Sequence, residues 1–339
     1  MPDLNVIWFF LVGTLLIGYA ILDGFDLGIG ALHLFARGDA ERRTLINSIG
    51  PVWDGNEVWL VTGGGALFAA FPHAYATAFS GFYLAFMLLL FCLIFRAVAL
   101  EFRSKEPWGW WRQMWDVAFS LASIVASILF GVAVGNMILG IPVGPDFEFQ
   151  GSFLGLLQPY PIMVGLFNLC MFVMHGAVYL YLKTEGEIHE KAHRWAWRSW
   201  GVFLAFYMVM TVWTLVDVPS MLSNFRDFWW VWIIVALNVL AIANIPRCLH
   251  HRRPFRAFVS SACTIAAMVF LFGIGVYPNL IVSTMDSTYS LTIYNAASSE
   301  KTLGIMLVIA GIGMPFVLAY TVSIYWVFRG KVKLDPWSY

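Results

Sequence analysis

Nine apolar runs, each close to the length that crosses a hydrocarbon core, limit what this chain can fold into more than any other feature. They begin near Val6, Gly55, Phe79, Val117, Gln158, Trp200, Phe228, Ala257 and Leu303. At 1.5 Å of rise per residue, the run over residues 6–22 covers roughly 25 Å, most of the hydrocarbon core. Of the 339 residues, 60% are hydrophobic and only 12% charged, about half the charged fraction of a soluble domain. The fold class that follows is an all-α integral membrane protein with about nine spans. Zero net charge leaves no electrostatic footprint for nucleic acid. Cys92, Cys170, Cys248 and Cys263 show no CxxC or CxxCH spacing, so they read as small apolar fillers. "MPDLNVIWFFLVGTLLIGYAIL" has neither a positive n-region nor a small-residue cleavage site, which makes it a retained first helix.

Basic residues orient the helices, because cytoplasmic loops keep Lys and Arg. Arg37, Arg42 and Arg43 follow the first run; Arg103, Lys105 and Arg112 follow the third. Lys183, Lys191, Arg194 and Arg198 follow the fifth, and Arg247, Arg252, Arg253 and Arg256 the seventh. Arg329, Lys331 and Lys333 follow the ninth. Of the 20 basic residues only Arg226 and Lys301 fall on the other side, and Arg96 lies inside the third run. The N-terminus is therefore expected outside and Tyr339 inside. Trp108, Trp110, Trp111 and Trp115, then Trp195, Trp197 and Trp200, cluster at the inner boundary as an aromatic belt should. The long outer connection over residues 282–301 is either a docking loop for a partner or a solvated loop.

Several charges interrupt this pattern at one depth near the inner side. The first run meets Asp23 and then Asp26, the third meets Arg96, the second starts after Asp54 with Glu57 a turn deeper, and the fourth starts after Asp116. "DGNE", Asp54 to Glu57, fits a capping box, and Asp116 fits a cap on the fourth helix. Asp23 and Asp26 lie within a continuous helical pattern and cap nothing. Ionisable groups in lipid cost at least ~2.5 kcal/mol each, so they face one another or a wet cavity. Five carboxylates and one arginine on the first four helices thus point to a polar cluster inside a four-helix bundle. Capping and proton handling remain compatible readings of Asp54. Gly24, Gly28 and Gly30, like Gly63, Gly64 and Gly65, are read as sites of close helix approach rather than breaks.

The histidines offer no matched intramembrane pair for a bis-histidine haem. His33, His189, His193, His250 and His251 fall at basic ends, and His73 lies in an outer turn. Only His175 sits in a span, where a packed or hydrogen-bonded role is favoured over a haem ligand. No metal cluster or nucleophile arrangement is evident. The residues alone describe a proton-handling or packing subunit, with a stand-alone ion-coupled secondary transporter and a purely structural membrane partner as rivals. A transporter of that kind predicts interrupted helices around a midplane site, whereas these charges lie near one face.

The segments "LDGFDLGIG", "ERRTLINSIGPVWDGNEVWLVTGGGALFAAFP", "AFSGFY", "FRAVALEFRSK", "MWD", "GVAVGN" and "SLTIYNAASS", in this order, resemble subunit II of the cytochrome bd-type quinol oxidases, including their cyanide-insensitive branch. The resemblance implies two four-helix bundles, about residues 6–140 and 158–281, and a peripheral helix over about 303–329. It implies a heterodimer with a haem-bearing subunit I in the bacterial inner membrane, oxidising membrane quinol and reducing oxygen to water. Two b-type haems and one d-type haem would be held mainly by that partner. Small single-helix accessory subunits and a structural quinone in this subunit are further features of the family. By the same resemblance Asp54 matches an acidic mouth of a cytoplasmic proton route. Asp26, Arg96 and Asp116 match polar positions tied to activity or assembly. Glu57 stands where other members have glutamine.

Overall fold

Backbone caps, not the ends of apolar runs, decide where these helices start and stop. In the computed structural model, which describes residues 3–334, Asp3 caps α1 (Leu4–Leu32) by accepting from the Asn5 and Val6 amides at 2.9 and 3.5 Å. That satisfies donors a helix start leaves unpaired. The helix then passes Asp23 and Asp26 without a break. Ser299 caps α12 (Glu300–Val327) in the same way. Proline opens α7 (Pro159–Lys183) and α11 (Pro254–Val276), positions where its missing N–H is harmless.

Between these lie α2 (Gly38–Ile49), α3 (Trp53–Ala70), α4 (Pro72–Gly81), α5 (Tyr83–Phe102), α6 (Gly109–Leu139), α8 (Gly186–Asp217), the short α9 (Ser223–Asp227) and α10 (Val231–His250). Several depart from the expected bounds. The outer turn around His73 is the helix α4, α5 runs on past Arg96, and α6 and α8 begin well before Val117 and Trp200. An apolar run marks the lipid layer, whereas backbone hydrogen bonding continues into water wherever tertiary packing sustains it. Asp116 therefore lies inside α6, whose N-cap is Trp108, and does not cap it.

Among the described residues, eight helices are long and apolar enough to cross a membrane: α1, α5, α6, α7, α8, α10, α11 and α12. The ninth expected run is α3, which is 18 residues long but is diluted by Asp54, Asn56 and Glu57 in its first turns. Its contacts place it along α1 all the same. Asn56 bonds the Leu22 carbonyl at 3.1 Å, and at the other end Ala69 and Ala70 accept from Ser298.

Helices α1, α3, α5 and α6 pack together, as do α7, α8, α10 and α11, and α1 and α6 join the two groups along α7. Helix α12 lies against α1 and α3 with most of its surface exposed. The long connection over residues 282–301 is anchored at several points, although residues 284–288 are exposed. Strand β1 (Asn279–Ile281), just before it, pairs antiparallel with β2 (Leu291–Thr292) within it, and Leu291, Ile293 and Ala296 are buried with Trp8, Phe71 and Val143. Gly140, at φ +86°, turns the chain out of α6 so that Ile141 can bond Val282 and Thr284. Cys92 and Cys248 fill buried positions as expected, but Cys263 is exposed.

The two glycine groups behave differently. A Cβ on Gly28 would stand 1.9 Å from the Phe172 carbonyl oxygen, so α1 and α7 touch backbone to backbone there. Gly64 and Gly65 meet nothing within this chain, and Gly63 meets only Leu15 and Leu16 side chains. α3 runs through all three unbroken, so neither a break nor close packing within the chain explains them. Gly28→Ala is expected to destabilise the fold by about 1–3 kcal/mol and lower its melting temperature, whereas Gly64→Ala should leave it unchanged. Equal melting temperatures for the two variants would contradict this helix contact.

Candidate functional site

A charge buried in an apolar bundle survives only with partners, so the neighbours of each acid show what it can do. Asp23 and Asp26 lie on one side of α1 and are fully buried. Arg96, also fully buried, reaches them from α5. Its Nη2 donates to Asp23 Oδ1 at 2.8 Å and its Nη1 to Oδ2 at 3.1 Å, a two-pronged fork that fixes both groups. Glu57 approaches the same guanidinium at 3.2 Å from α3. One cation is thus shared by two carboxylates from two helices.

Asp26 has a different partner, a neutral side chain that no charge pattern marks. Asn56 Nδ2 donates to Asp26 Oδ2 at 2.8 Å. The amide oxygen of Asn56 accepts from the Tyr325 hydroxyl of α12 at 2.8 Å. A polar line therefore runs from α1 through α3 to the outlying α12. Around it, Tyr19 Oη, Asp26 Oδ1, Glu57 Oε1 and Arg96 Nε are buried without a hydrogen-bond partner among the described residues.

Asp54 stands at the rim of this cluster. The N-cap of α3 is Val52, at φ −127° and ψ −21° and with no side-chain cap bond, so the capping-box reading of "DGNE" is wrong. Asp54 is the second residue of the helix, and its side chain is exposed. From there exposure falls inward: Glu57 keeps 21% of its side-chain surface, and Asp23 and Asp26 keep none.

Asp116 belongs elsewhere. His33 Nε2 and Arg103 Nε each approach its Oδ1 at 2.5 Å, and Arg42 Nη1 donates to Oδ2 at 2.7 Å. Arg103 continues to Asp39 at 2.8 Å. This second knot ties α6 to α2 and to the ends of α1 and α5, with both carboxylate oxygens engaged. His33 lies at a basic end as expected, beside Arg42 and Arg103, and is fully buried there. The expected cluster of five carboxylates and one arginine thus resolves into a core of Asp23, Asp26, Glu57 and Arg96, a rim acid in Asp54 and a separate junction at Asp116.

The buried histidines do not fit a bis-histidine haem site. His175 has Nδ1 2.7 Å from Ser261 Oγ and Nε2 3.0 Å from the Ile21 carbonyl oxygen, so both ring nitrogens are engaged, and Phe258 stacks on the ring. His33 is held by Asp116 and meets the edge of Phe119. Among the described residues no group of three His, Cys, Asp or Glu side chains is placed to hold a metal.

The profile of the family described as cytochrome bd terminal oxidase subunit II matches residues 4–328. The chain is 37% identical to cytochrome bd-I ubiquinol oxidase subunit 2 of Escherichia coli K12, over 98% of this chain and 96% of that one. It is 32% identical to cytochrome bd ubiquinol oxidase subunit 2 of Bacillus subtilis over the whole of both chains. Its fold also superposes on a chain of the bd oxidase from Geobacillus thermodenitrificans with a TM-score of 0.79, at 19% identity, covering 96% of this chain and 98% of that one.

Proposed function

The chain belongs to the cytochrome bd terminal oxidase subunit II family, and on that premise we propose that its buried charges conduct protons from the inner side of the membrane. As a member it is a multi-pass protein of the bacterial inner membrane and a subunit of a quinol oxidase, not a stand-alone transporter. In the proposed complex, subunit I holds two b-type haems and one d-type haem, which carry the redox chemistry. Membrane quinol supplies the electrons, and oxygen is reduced to water. Protons consumed in water formation enter from the basic-loop side, and quinol releases its protons on the other. Charge then separates across the membrane without a pump.

The single observation that supports this reading is the graded burial of acids along α3 and α1. Asp54 is exposed, Glu57 lies part-buried a turn deeper beside Arg96, and Asp23 and Asp26 are sealed behind it. A carboxylate at the rim picks up protons from water. Tyr19 Oη and Asp26 Oδ1, buried without a hydrogen bond among the described residues, leave positions open for passing them on. Arg96 holds the acids in place and offsets their charge. Asp116, with both oxygens engaged by His33, Arg42 and Arg103, serves as a structural tie.

Purification of the tagged chain from membranes, followed by an optical spectrum, tests this assignment. A haem-bearing partner is expected to copurify with b- and d-type bands, while the chain expressed alone holds no stoichiometric haem. One haem per isolated chain, lost on His175→Ala, would overturn the placement of the haems in the partner.

A further inference from the structure

A groove of about 830 Å³ lies between the segment after α1 and the first turns of α8, and it shares no lining residue with the buried cluster. An ion pair fixes its shape. Lys191 Nζ donates to Glu41 Oε2 at 2.6 Å, and the Arg37 amide donates to the same oxygen at 2.5 Å. Burial raises the pKa of the Glu41 carboxyl, but these two donors outweigh it and hold it below its ordinary value. A second acid of the groove, Glu190, is bound by Arg252. Arg37, Arg194 and Arg198 also line the groove, and their side chains make no ion pair or hydrogen bond among the described residues. Glu41 is met by Lys191 and by the charge of Arg37 and Glu190 by Arg252, so Glu187 is left facing the guanidinium groups of Arg194 and Arg198.

The position of these arginines narrows what they can bind. Arg194 and Arg198 are one turn apart on the same face of α8. Trp195, Trp197 and Trp200 place this stretch at the membrane–water boundary. Phe35, 68% exposed, lines the groove beside them. The site therefore offers planar forks that match phosphate oxygens and, next to them, an apolar surface. A soluble anion would use only the first half.

We propose that this groove binds the phosphate headgroup of an anionic phospholipid, with Arg194, Arg198 and Arg37 as its ligands and Phe35 against the acyl chains. Basic pockets between helices on the inner side of a membrane recognise headgroups in this way.

Native mass spectrometry of the assembled complex, offered phosphatidylglycerol and phosphatidylcholine of matched chain length, tests the proposal. The complex should retain phosphatidylglycerol preferentially. R194Q/R198Q should lower that preference by about fivefold per arginine removed, with haem content unchanged as the check on assembly. Arg194→Lys with Arg198→Lys should keep most of it, and Arg226→Gln, on the opposite side, all of it. Equal retention of the two lipids by the unaltered complex would overturn the proposal, as would an undiminished preference in R194Q/R198Q. Release of the bound lipid by millimolar inorganic phosphate would assign the groove to a soluble anion and overturn it too.

Discussion

Arg96→Leu is expected to abolish assembly of the oxidase complex. The guanidinium is fully buried and is the shared partner of Asp23 and Glu57. Leucine fills part of the volume but leaves two carboxylates from two helices without a cation in a bundle they were folded to occupy. Removing one partner of a buried pair costs about 3–5 kcal/mol, a large share of the 5–15 kcal/mol that holds a typical domain together. Arg96→Lys should do better, because the charge remains, yet fall short of the native complex, because an ammonium cannot span both oxygens of Asp23. Asp23→Asn added to Arg96→Leu should recover part of the loss by removing one uncompensated charge. The readout is the abundance of the tagged chain in membranes and the haem that copurifies with it. Normal abundance and haem in Arg96→Leu would show that the fork does not support the fold.

The core of this site was legible because burying charge is expensive. Asp23, Asp26, Glu57 and Arg96 each interrupt an apolar run, and lipid gives such groups nowhere to go except toward one another. Neutral polar groups send a weaker signal. Asn56 is one polar residue in a helix start that already holds two acids. Tyr325 looks like any interfacial aromatic, and the bond between them joins residues 269 apart in sequence, which no local pattern encodes. The burial of His33 is hidden for a related reason. Its basic surroundings are visible in the sequence, but its partner Asp116 lies 83 residues away on α6. At Asp54 the side-chain pattern matches a cap, but backbone angles decide where the helix starts. Val52 takes the non-helical conformation, and the acid two residues later is left exposed on the surface of this chain. Eight of the nine expected spans are long and apolar enough to cross a membrane; α3 is not among them, because the acids and asparagine that matter most there dilute its hydropathy.

That freedom of Asp54 sets up the second expected result. Asp54→Asn should slow oxygen reduction by the assembled complex about tenfold, the effect of roughly 1.4 kcal/mol on a barrier, with haem content near normal. Had Asp54 been the cap of α3, an Asn replacement would have preserved the cap and its loss could have been blamed on folding only with difficulty. Since the side chain makes no cap bond, the substitution removes an ionisable carboxylate and little else. On the proposed route the slowing is bounded, because Glu57, part-exposed a turn deeper, would still take up protons without the rim acid. Asp54→Glu returns a carboxylate at the same rim and should restore part of the rate. Asp54→Asn combined with Glu57→Gln, which closes the route around the rim, should be slower than either single variant. Full turnover in Asp54→Asn, with membrane potential still generated, would remove the rim from the route. Glu57 and Asp26 would then have to take up protons directly, and Glu57→Gln alone should produce the loss.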